Sequence, residues 1–244
     1  ISTYAGAGDI RRMKTAISTT LFASTVLAVT LTIFGLLTSS YLMQMMNTPH
    51  NIFDAGDIYL KIYIGGMVFL FCYNVATGIF TALGDSKTPL YFLIGSSVGN
   101  VVLDYLFVAV FHFGVSGVGW ATFLAQGIAG IVAVITLLRR VAKLPTGHGK
   151  IMLYSKSMLR RIAKIAVPSI LQQSFVSVGN IFIQSLVNSF GSAVIAGYSA
   201  AIKLNTFTIT SFSTLGNALS SFSAQNIGAA KIDRVRKGFR AGTM

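Results

Sequence analysis

Residues 15–46 read TAISTTLFASTVLAVTLTIFGLLTSSYLMQMM, a stretch that contains no charged side chain. An α-helix needs about 20 predominantly apolar residues to cross the hydrocarbon core of a bilayer. Five further apolar stretches follow along the chain, at 58–83, 89–112, 119–138, 165–188 and 193–222. The sequence therefore predicts an all-α, polytopic membrane protein with six transmembrane helices in this chain.

The composition of the whole chain agrees with this class. Of the 244 residues, 53% are hydrophobic and only 10% are charged, whereas a soluble domain carries about 25% charged residues. The chain has one cysteine, Cys72, so it can form no disulfide within itself.

The lysines and arginines fall on one side of the predicted membrane. Seventeen of the 19 precede the first span, lie between the second and third or the fourth and fifth, or follow the sixth. The intervening loops contain none, and the positive-inside rule assigns the basic side to the cytoplasm. Both ends of this piece are therefore predicted to be cytoplasmic. Because topology explains the net charge of +13, we expect the lipid bilayer, and no nucleic acid, as a partner.

Two basic segments suggest an internal repeat. GAGDIRRMK at 6–14 aligns without gaps with GAAKIDRVR at 228–236. One period then holds six spans, which predicts parallel repeats related by an axis along the membrane normal. We expect a twelve-helix transporter of two lobes, with further helices before Ile1 and after Met244. Residues 1–150 would belong to the amino-terminal lobe and residues 151–244 to the start of the carboxy-terminal lobe.

Three of the predicted spans carry polar side chains at helical spacing, so that each set shares one helix face. The second span has Asn74, Thr77 and Thr81, the fifth has Gln173, Ser177, Asn180, Gln184 and Asn188, and the sixth has Ser199, Lys203, Thr206, Thr210, Thr214, Asn217 and Ser221. Polar groups at membrane depth must face protein or water. The stripes therefore indicate either hydrogen bonding between helices or, as we favour, the wall of a hydrated cavity.

Asp104 is the one acidic residue deep inside a predicted span, with Asn100 one turn before it on the same face. A charge at that depth costs a few kcal/mol, so Asp104 is a candidate for carrying a proton or holding Na⁺. The alternative is a structural, hydrogen-bonded aspartate. Lys203 would be its partner, reach toward the interface, or lie in a second cavity. The sequence contains no nucleophile elbow, zinc motif or phosphate-binding loop, so we expect neither an enzyme nor an ATP-driven pump.

Five segments carry a family resemblance. They are ALGDSKTP at 82–89, GNVVLD at 99–104, GVSGVGWAT at 114–122 followed by Gln126, AVP at 166–168 with Gln172 and Gln173, and QNIGA at 225–229. Together they resemble the multidrug and toxic compound extrusion (MATE) family, over helices three to eight of twelve. Within them, Gly114, Gly117 and Gly119 suggest a tight turn, and Ser86 or Thr88 suggests a cap for the following helix.

The resemblance implies an antiporter of the cell membrane, driven by H⁺ or Na⁺, that exports organic and often cationic compounds by alternating access. It implies a cation site at Asn100, Asp104 and Thr122. Residues expected along the substrate cavity are Asn74, Gln126, Gln173, Ser177, Asn180, Gln184 and Lys203. We expect no cofactor, no resident metal other than Na⁺ at Asp104, and a monomer. The alternative is a flippase for lipid-linked precursors, which would use cavity arginines that these spans lack.

Overall fold

The computed structural model describes residues 1–45, 50–145, 152–188, 190 and 192–243. These residues form helices and turns, and the described ranges include no β-strand. The helices are α1 (Ser2–Gly6), α2 (Ile10–Met45), α3 (His50–Gly65), α4 (Met67–Ala82), α5 (Lys87–Tyr105) with a π-helical turn (Leu106–Val110), α6 (Gly114–Ala142), α7 (Lys156–Asn188), α8 (Ser192–Gly228) and α9 (Ile232–Thr243). The predicted end of the first span at 46 and the predicted lobe boundary at 150 lie outside the described residues.

Five helical segments are long and apolar enough to cross a membrane: Ile10–Gln44, Phe53–Ala82, Lys87–Val110, Gly114–Ala142 and Lys156–Gln184. They confirm the first five predicted spans, the second of which is divided into α3 and α4 next to Gly66. The sixth predicted span forms α8, which has 37 residues. It is long enough to cross, but it is not among the five. Its stripe of hydroxyls and amides, together with Lys203, lowers its hydropathy.

Large apolar side chains lie mostly on the outside of the bundle. Leu37, Phe175 and Phe207 are each more than 70% exposed. A soluble protein rarely exposes so much contiguous apolar surface, whereas lipid tails are themselves as apolar as these side chains. The fold therefore has the outer surface of a membrane protein.

Helix α6 is the centre of the first bundle and packs against α3, α4 and α5. Its buried face is built from small residues, including Gly117, Gly119 and Gly130. A Cβ added to Gly130 would lie 2.7 Å from the carbonyl oxygen of Phe69 in α4. Small residues at such crossings let helix backbones approach closely, which is how membrane helices gain packing energy.

The glycine-rich start of α6 corrects one prediction. Gly114, Gly117 and Gly119 were expected to form a turn before a span at 119–138, but α6 already begins at Gly114. Of the three, only Gly114 has a positive φ, of 59°, while Gly117 and Gly119 are buried helix-packing positions. Glycine suits both a left-handed turn and a close helix contact. Which of the two a given glycine forms depends on the helices packed against it.

The two copies of the predicted repeat adopt the same turn. The N–H of Asp9 donates to the carbonyl of Tyr4 at 3.0 Å, and at the equivalent place in the second copy the N–H of Lys231 donates to the carbonyl of Asn226 at 2.8 Å. Gly8 and its counterpart Ala230 have φ values of 69° and 57°. A left-handed residue followed by this hydrogen bond is a Schellman end. The next helices start at equivalent positions, 10 and 232, so the structure supports the repeat.

Candidate functional site

The predicted cation residues of α5 lie where the helix is partly covered by α6. Asn100 and Asp104 are one helical turn apart, and both are half-buried. The Nδ2 atom of Asn100 and the Oδ1 atom of Asp104 are buried and have no hydrogen-bond partner. Leaving a buried polar atom unpaired costs about 1–3 kcal/mol, and more for a charged group. These two atoms are therefore the polar groups here that most need a ligand, a proton or water.

Asn100 shares a small cavity with the third predicted cation residue. A space of about 170 Å³ between α5 and α6 is lined by Ser96, Ser97, Asn100, Thr122, Ala125 and Gln126. The structure therefore brings together Asn100, Thr122 and Gln126, with the buried carboxylate oxygen of Asp104 one turn away. Ser96 and Ser97 were not predicted. Their one available signal in the sequence was their position about one helical turn before Asn100, which places them on its side of the helix.

A π-helical turn follows Asp104 directly. The N–H of Phe111 donates to the carbonyl of Leu106, five residues earlier, at 2.9 Å. Gly117 of α6 packs against this turn, because a Cβ there would lie 3.2 Å from the carbonyl oxygen of Phe107. Single π-turns within α-helices occur frequently at functional sites. Here the turn ends the helical segment that carries Asp104, and it begins two residues after that carboxylate.

The start of α5 is fixed by Asp85 and not by the expected Ser86 or Thr88. The Asp85 carboxylate accepts hydrogen bonds from the N–H groups of Lys87 and Thr88, both at 3.1 Å, and from the Thr88 hydroxyl at 2.7 Å. It also pairs with Arg140 near the end of α6. Asp85 therefore caps α5 and ties it to α6. Sequence reasoning missed this role, although an aspartate before a helix start is a common cap.

The environment of Asp85 favours its charged form. Its partial burial acts to raise the pKa, but the hydrogen bonds from Thr88 and from Arg140, together with the positive charge of Arg140, outweigh burial. The net result holds the pKa of this carboxyl below its ordinary value.

Asn74 lies in a different and larger polar cavity. This space of about 580 Å³ lies between α4 and α5 on one side and the last third of α8 on the other. Its polar lining comes from Tyr73, Asn74, Thr77, Thr81, Ser86, Asn217, Ser220 and Ser221. The predicted polar stripes of the second and sixth spans therefore meet across one cavity. Several of the hydroxyls also bond to their own helix, such as Thr81 to the Thr77 carbonyl at 3.0 Å.

The remaining predicted cavity residues do not reach either of these cavities. Gln173, Ser177, Asn180 and Gln184 are exposed along α7, and Lys203 is exposed on α8. The ion pairs found among the described residues do not include one between Lys203 and Asp104. Lys203 is thus not the counter-ion of Asp104 in this structure, and the role of these five residues in binding substrate stays a prediction.

Chemically, the α5–α6 site suits a small cation. It offers a carboxylate oxygen, a threonine hydroxyl and side-chain amides, and the oxygen of an amide takes the place of its nitrogen when the group rotates. Hard cations prefer such oxygen ligands. A proton on the unpartnered carboxylate oxygen would remove the charge and convert that acceptor into an O–H donor.

Five membrane-length helices, a turn repeated at 4–10 and 226–232, and a half-buried aspartate are typical of a multi-pass helical membrane protein of the transporter class. A family model, MatE, matches residues 1–106 and 168–244. The chain belongs to the MatE family of transporters. Family membership confirms both the resemblance and the expectation that the chain is not an enzyme.

Curated relatives give the same result. The chain is 32% identical over 235 residues to "Probable multidrug resistance protein YpnP" of Bacillus subtilis (strain 168), covering 96% of this chain and 52% of the relative. It is 26% identical over 212 residues to "Multidrug export protein MepA" of Staphylococcus haemolyticus (strain JCSC1435), covering 85% of this chain and 46% of the relative. The chain spans about half the length of the curated relatives it matches.

Solved structures share the fold. A mutant of the Vibrio cholerae MATE transporter VcmN superposes with a TM-score of 0.85 at 19% identity, covering 98% of this chain and 54% of the other. An outward-facing multidrug resistance MATE family transporter of the MOP superfamily gives a TM-score of 0.81 at 21% identity, covering 99% and 57%. The all-α transporter fold predicted from the sequence is confirmed.

Proposed function

We propose that the complete protein is a cation-coupled antiporter that exports organic, often cationic compounds by alternating access. Asp104 carries the coupling H⁺ or Na⁺, with Asn100 and Thr122 completing the site. The observation that carries this proposal is the pair of buried, unpartnered polar atoms on Asn100 and Asp104 beside a cavity lined by Thr122. A site that is occupied only during part of a transport cycle needs such unsatisfied groups in its empty state.

The polar cavity at Asn74 supports export of organic compounds. Its volume of about 580 Å³ lies in the range of pockets that take small organic molecules. It lies between helices that we assign to the two lobes, residues 1–150 and 151–244. Gln126, the α7 residues Gln173, Ser177, Asn180 and Gln184, and Lys203 belong to the proposed path further along.

The distribution of lysine and arginine supports the orientation. With the basic loops in the cytoplasm, both ends of this chain face that side of the cell membrane. Export then moves substrate from the basic end of the bundle to the other. We propose a monomer, since one pair of lobes supplies both a cation site and a substrate cavity.

A flippase for lipid-linked precursors is the second candidate. It would need basic side chains in its cavity to bind pyrophosphate. Among the described residues, those that line the α5–α6 cavity and the α4–α8 cavity include neither lysine nor arginine. Their chemistry favours the exporter.

The test is the substitution Asp104→Asn in the complete protein, with Asp54→Asn as the matched control. Asp54 is exposed in α3 and away from both cavities. We expect Asp104→Asn to abolish export of an ethidium-like cation while the protein still inserts, and Asp54→Asn to export at the wild-type rate. Unchanged export by Asp104→Asn would refute the coupling role.

A further inference from the structure

The two copies of the repeat touch each other through a reciprocal contact. A Cβ added to Gly6 of α1 would lie 1.9 Å from the carbonyl oxygen of Gln225 in α8. A Cβ added to Gly228 would lie 2.0 Å from the carbonyl oxygen of Thr3. In the repeat alignment, Gly228 is the counterpart of Gly6 and Gln225 is the counterpart of Thr3. Each copy therefore presents the same glycine to the same carbonyl of the other, as in a two-fold symmetric interface.

Both sides of this glycine crossing are backbone, so neither has room for a side chain. An approach of 1.9 Å at Gly6 and 2.0 Å at Gly228 to a carbonyl oxygen cannot be relieved by turning a flexible group. The helices must separate to admit even a methyl group. Any added side chain at Gly6 or Gly228 therefore disfavours the packed arrangement.

The crossing lies at the basic end of the bundle, beside the α4–α8 cavity. Ser220 and Ser221 line that cavity, and Gln225 follows one turn later on α8. The Gln225 side chain donates to the carbonyl of Ala82, the last residue of α4, at 2.8 Å. Gly84, with φ of 84°, brings the loop after α4 against the same side chain, since its Cβ would lie 3.3 Å from Nε2. The contacts of Gln225 with Ala82 and Gly84 therefore lie about one helical turn beyond the cavity lining, next to the glycine crossing.

On the other flank, α1 is held to α7. The guanidinium of Arg161 donates to the Tyr4 hydroxyl at 2.9 Å, and that hydroxyl lies 3.8 Å from the sulfur of Met158. Helix α1 therefore contacts the second-lobe helices through both α7 and α8. Movement of α7 and α8 together away from α1 would break both sets of contacts.

We propose that the Gly6–Gly228 crossing is the gate that closes the substrate cavity toward the basic side, and that the two glycines part in each transport cycle. This inference rests on the proposed function, because it gives alternating access a specific moving contact. Glycine at both positions permits the tight seal. Because backbone meets backbone at this crossing, parting the two glycines breaks no side-chain hydrogen bond between them. The side-chain hydrogen bonds beside the crossing are those from Gln225 to Ala82 and from Arg161 to Tyr4.

The gate is tested by accessibility in the complete protein on a cysteine-free background, including Cys72→Ser. Ser221→Cys places a reporter thiol on the cavity wall. Inside-out membrane vesicles are treated with a membrane-impermeant maleimide, and labelling is normalised to inserted protein. Gly6→Val and Gly228→Val are compared with Gly216→Val on the same helix α8, where a Cβ would meet nothing within 4 Å.

We expect both gate variants to raise labelling of the reporter about tenfold, which is the shift when the closed state loses about 1.4 kcal/mol relative to the open one. The two effects should be similar because the contacts are reciprocal. Gly216→Val should label at the wild-type rate. If a valine variant does not insert, Gly6→Ala and Gly228→Ala test the same contact with a smaller increase.

Unchanged labelling in inserted gate variants, or an equal rise in Gly216→Val, overturns the gate. The assay needs neither substrate nor coupling ion. Its failure would leave the exporter in place, whereas normal export by Asp104→Asn would overturn the coupling role and leave the gate in place.

Discussion

Removal of the Asp85 carboxylate should loosen the start of the helix that carries Asp104. In Asp85→Ala the N–H groups of Lys87 and Thr88 lose their acceptor, and loss of such a cap costs about 1 kcal/mol. The ion pair with Arg140 is lost as well, and because that arginine is 48% exposed it adds only about 0.2–1 kcal/mol. We expect a decrease of about 1.2–2 kcal/mol in the free energy of unfolding.

Asp85→Asn separates the two contributions. An asparagine oxygen caps a helix about as well as an aspartate oxygen. The asparagine NH2 group replaces the oxygen that faces Arg140 and the Thr88 hydroxyl, so the charge contact is lost and the hydroxyl must accept a hydrogen bond where it had donated one. The expected loss is therefore about 0.5 kcal/mol. The assay is reversible unfolding of the purified complete protein in detergent, with Asp54→Ala as the control within about 0.5 kcal/mol of wild type.

Acidification should also remove the stabilisation that the charged Asp85 carboxylate gives to the wild-type protein. The pKa of Asp85 is lower in the folded protein than its ordinary value of 3.8, so the folded state binds fewer protons than the unfolded state. The stabilisation is fully present above pH 3.8 and is lost as the pH falls through the lowered folded pKa. Asp85→Asn should lack this pH dependence. If Asp85→Ala and Asp85→Asn unfold alike, and both match the wild type, the capping argument is wrong.

Three further predictions concern packing, backbone strain and the cation site. Gly130→Val should destabilise the protein by about 1–3 kcal/mol, because its side chain meets the Phe69 carbonyl; detergent unfolding measures this. Ala230→Gly should stabilise the protein by about 1 kcal/mol and Gly8→Ala should destabilise it similarly, since both positions have a positive φ; their melting temperatures should move in opposite directions. Thr122→Val should weaken binding of the coupling ion without changing the melting temperature, which ion titration of export measures.

Each of these has a matched control or contrary outcome. Gly95→Val adds a side chain where a Cβ meets nothing within 4 Å, so it should not reproduce the loss seen for Gly130→Val. A melting temperature that falls in Ala230→Gly would contradict the strain argument. Equal ion dependence in Thr122→Val and wild type would remove the hydroxyl from the site.

The sequence was sufficient to predict five membrane helices and the repeated turn. Hydropathy identifies membrane helices because no other structure except a closed barrel satisfies the backbone in lipid. The two copies of the repeat, 6–14 and 228–236, also share their backbone conformation, because Gly8 and Ala230 are both left-handed. Asn100 and Thr122 were expected at one site and line one cavity, while their part in binding a cation stays a prediction.

Features that depend on contacts between helices could not be predicted. Gly117 lies in a glycine-rich stretch that is typical of a turn. Its close approach to the backbone of Phe107 shows that it is a helix-packing position. The local sequence does not single out Asp85 as the cap, because Ser86 and Thr88 beside it are also favoured capping residues. The partners of Gly6 lie near the other end of the chain, so local patterns contain no trace of the contact.

The most direct test of the central claim is a measurement of coupled flux. Liposomes containing the complete protein are given a pH gradient or, separately, a Na⁺ gradient, and both the ion and an ethidium-like cation are followed. Wild-type protein should move the organic cation only against one of these ions and should collapse that gradient faster when substrate is added. Asp104→Asn should do neither. Substrate movement at the same rate without any ion gradient, or normal coupling in Asp104→Asn, would contradict a cation-coupled antiporter centred on Asp104.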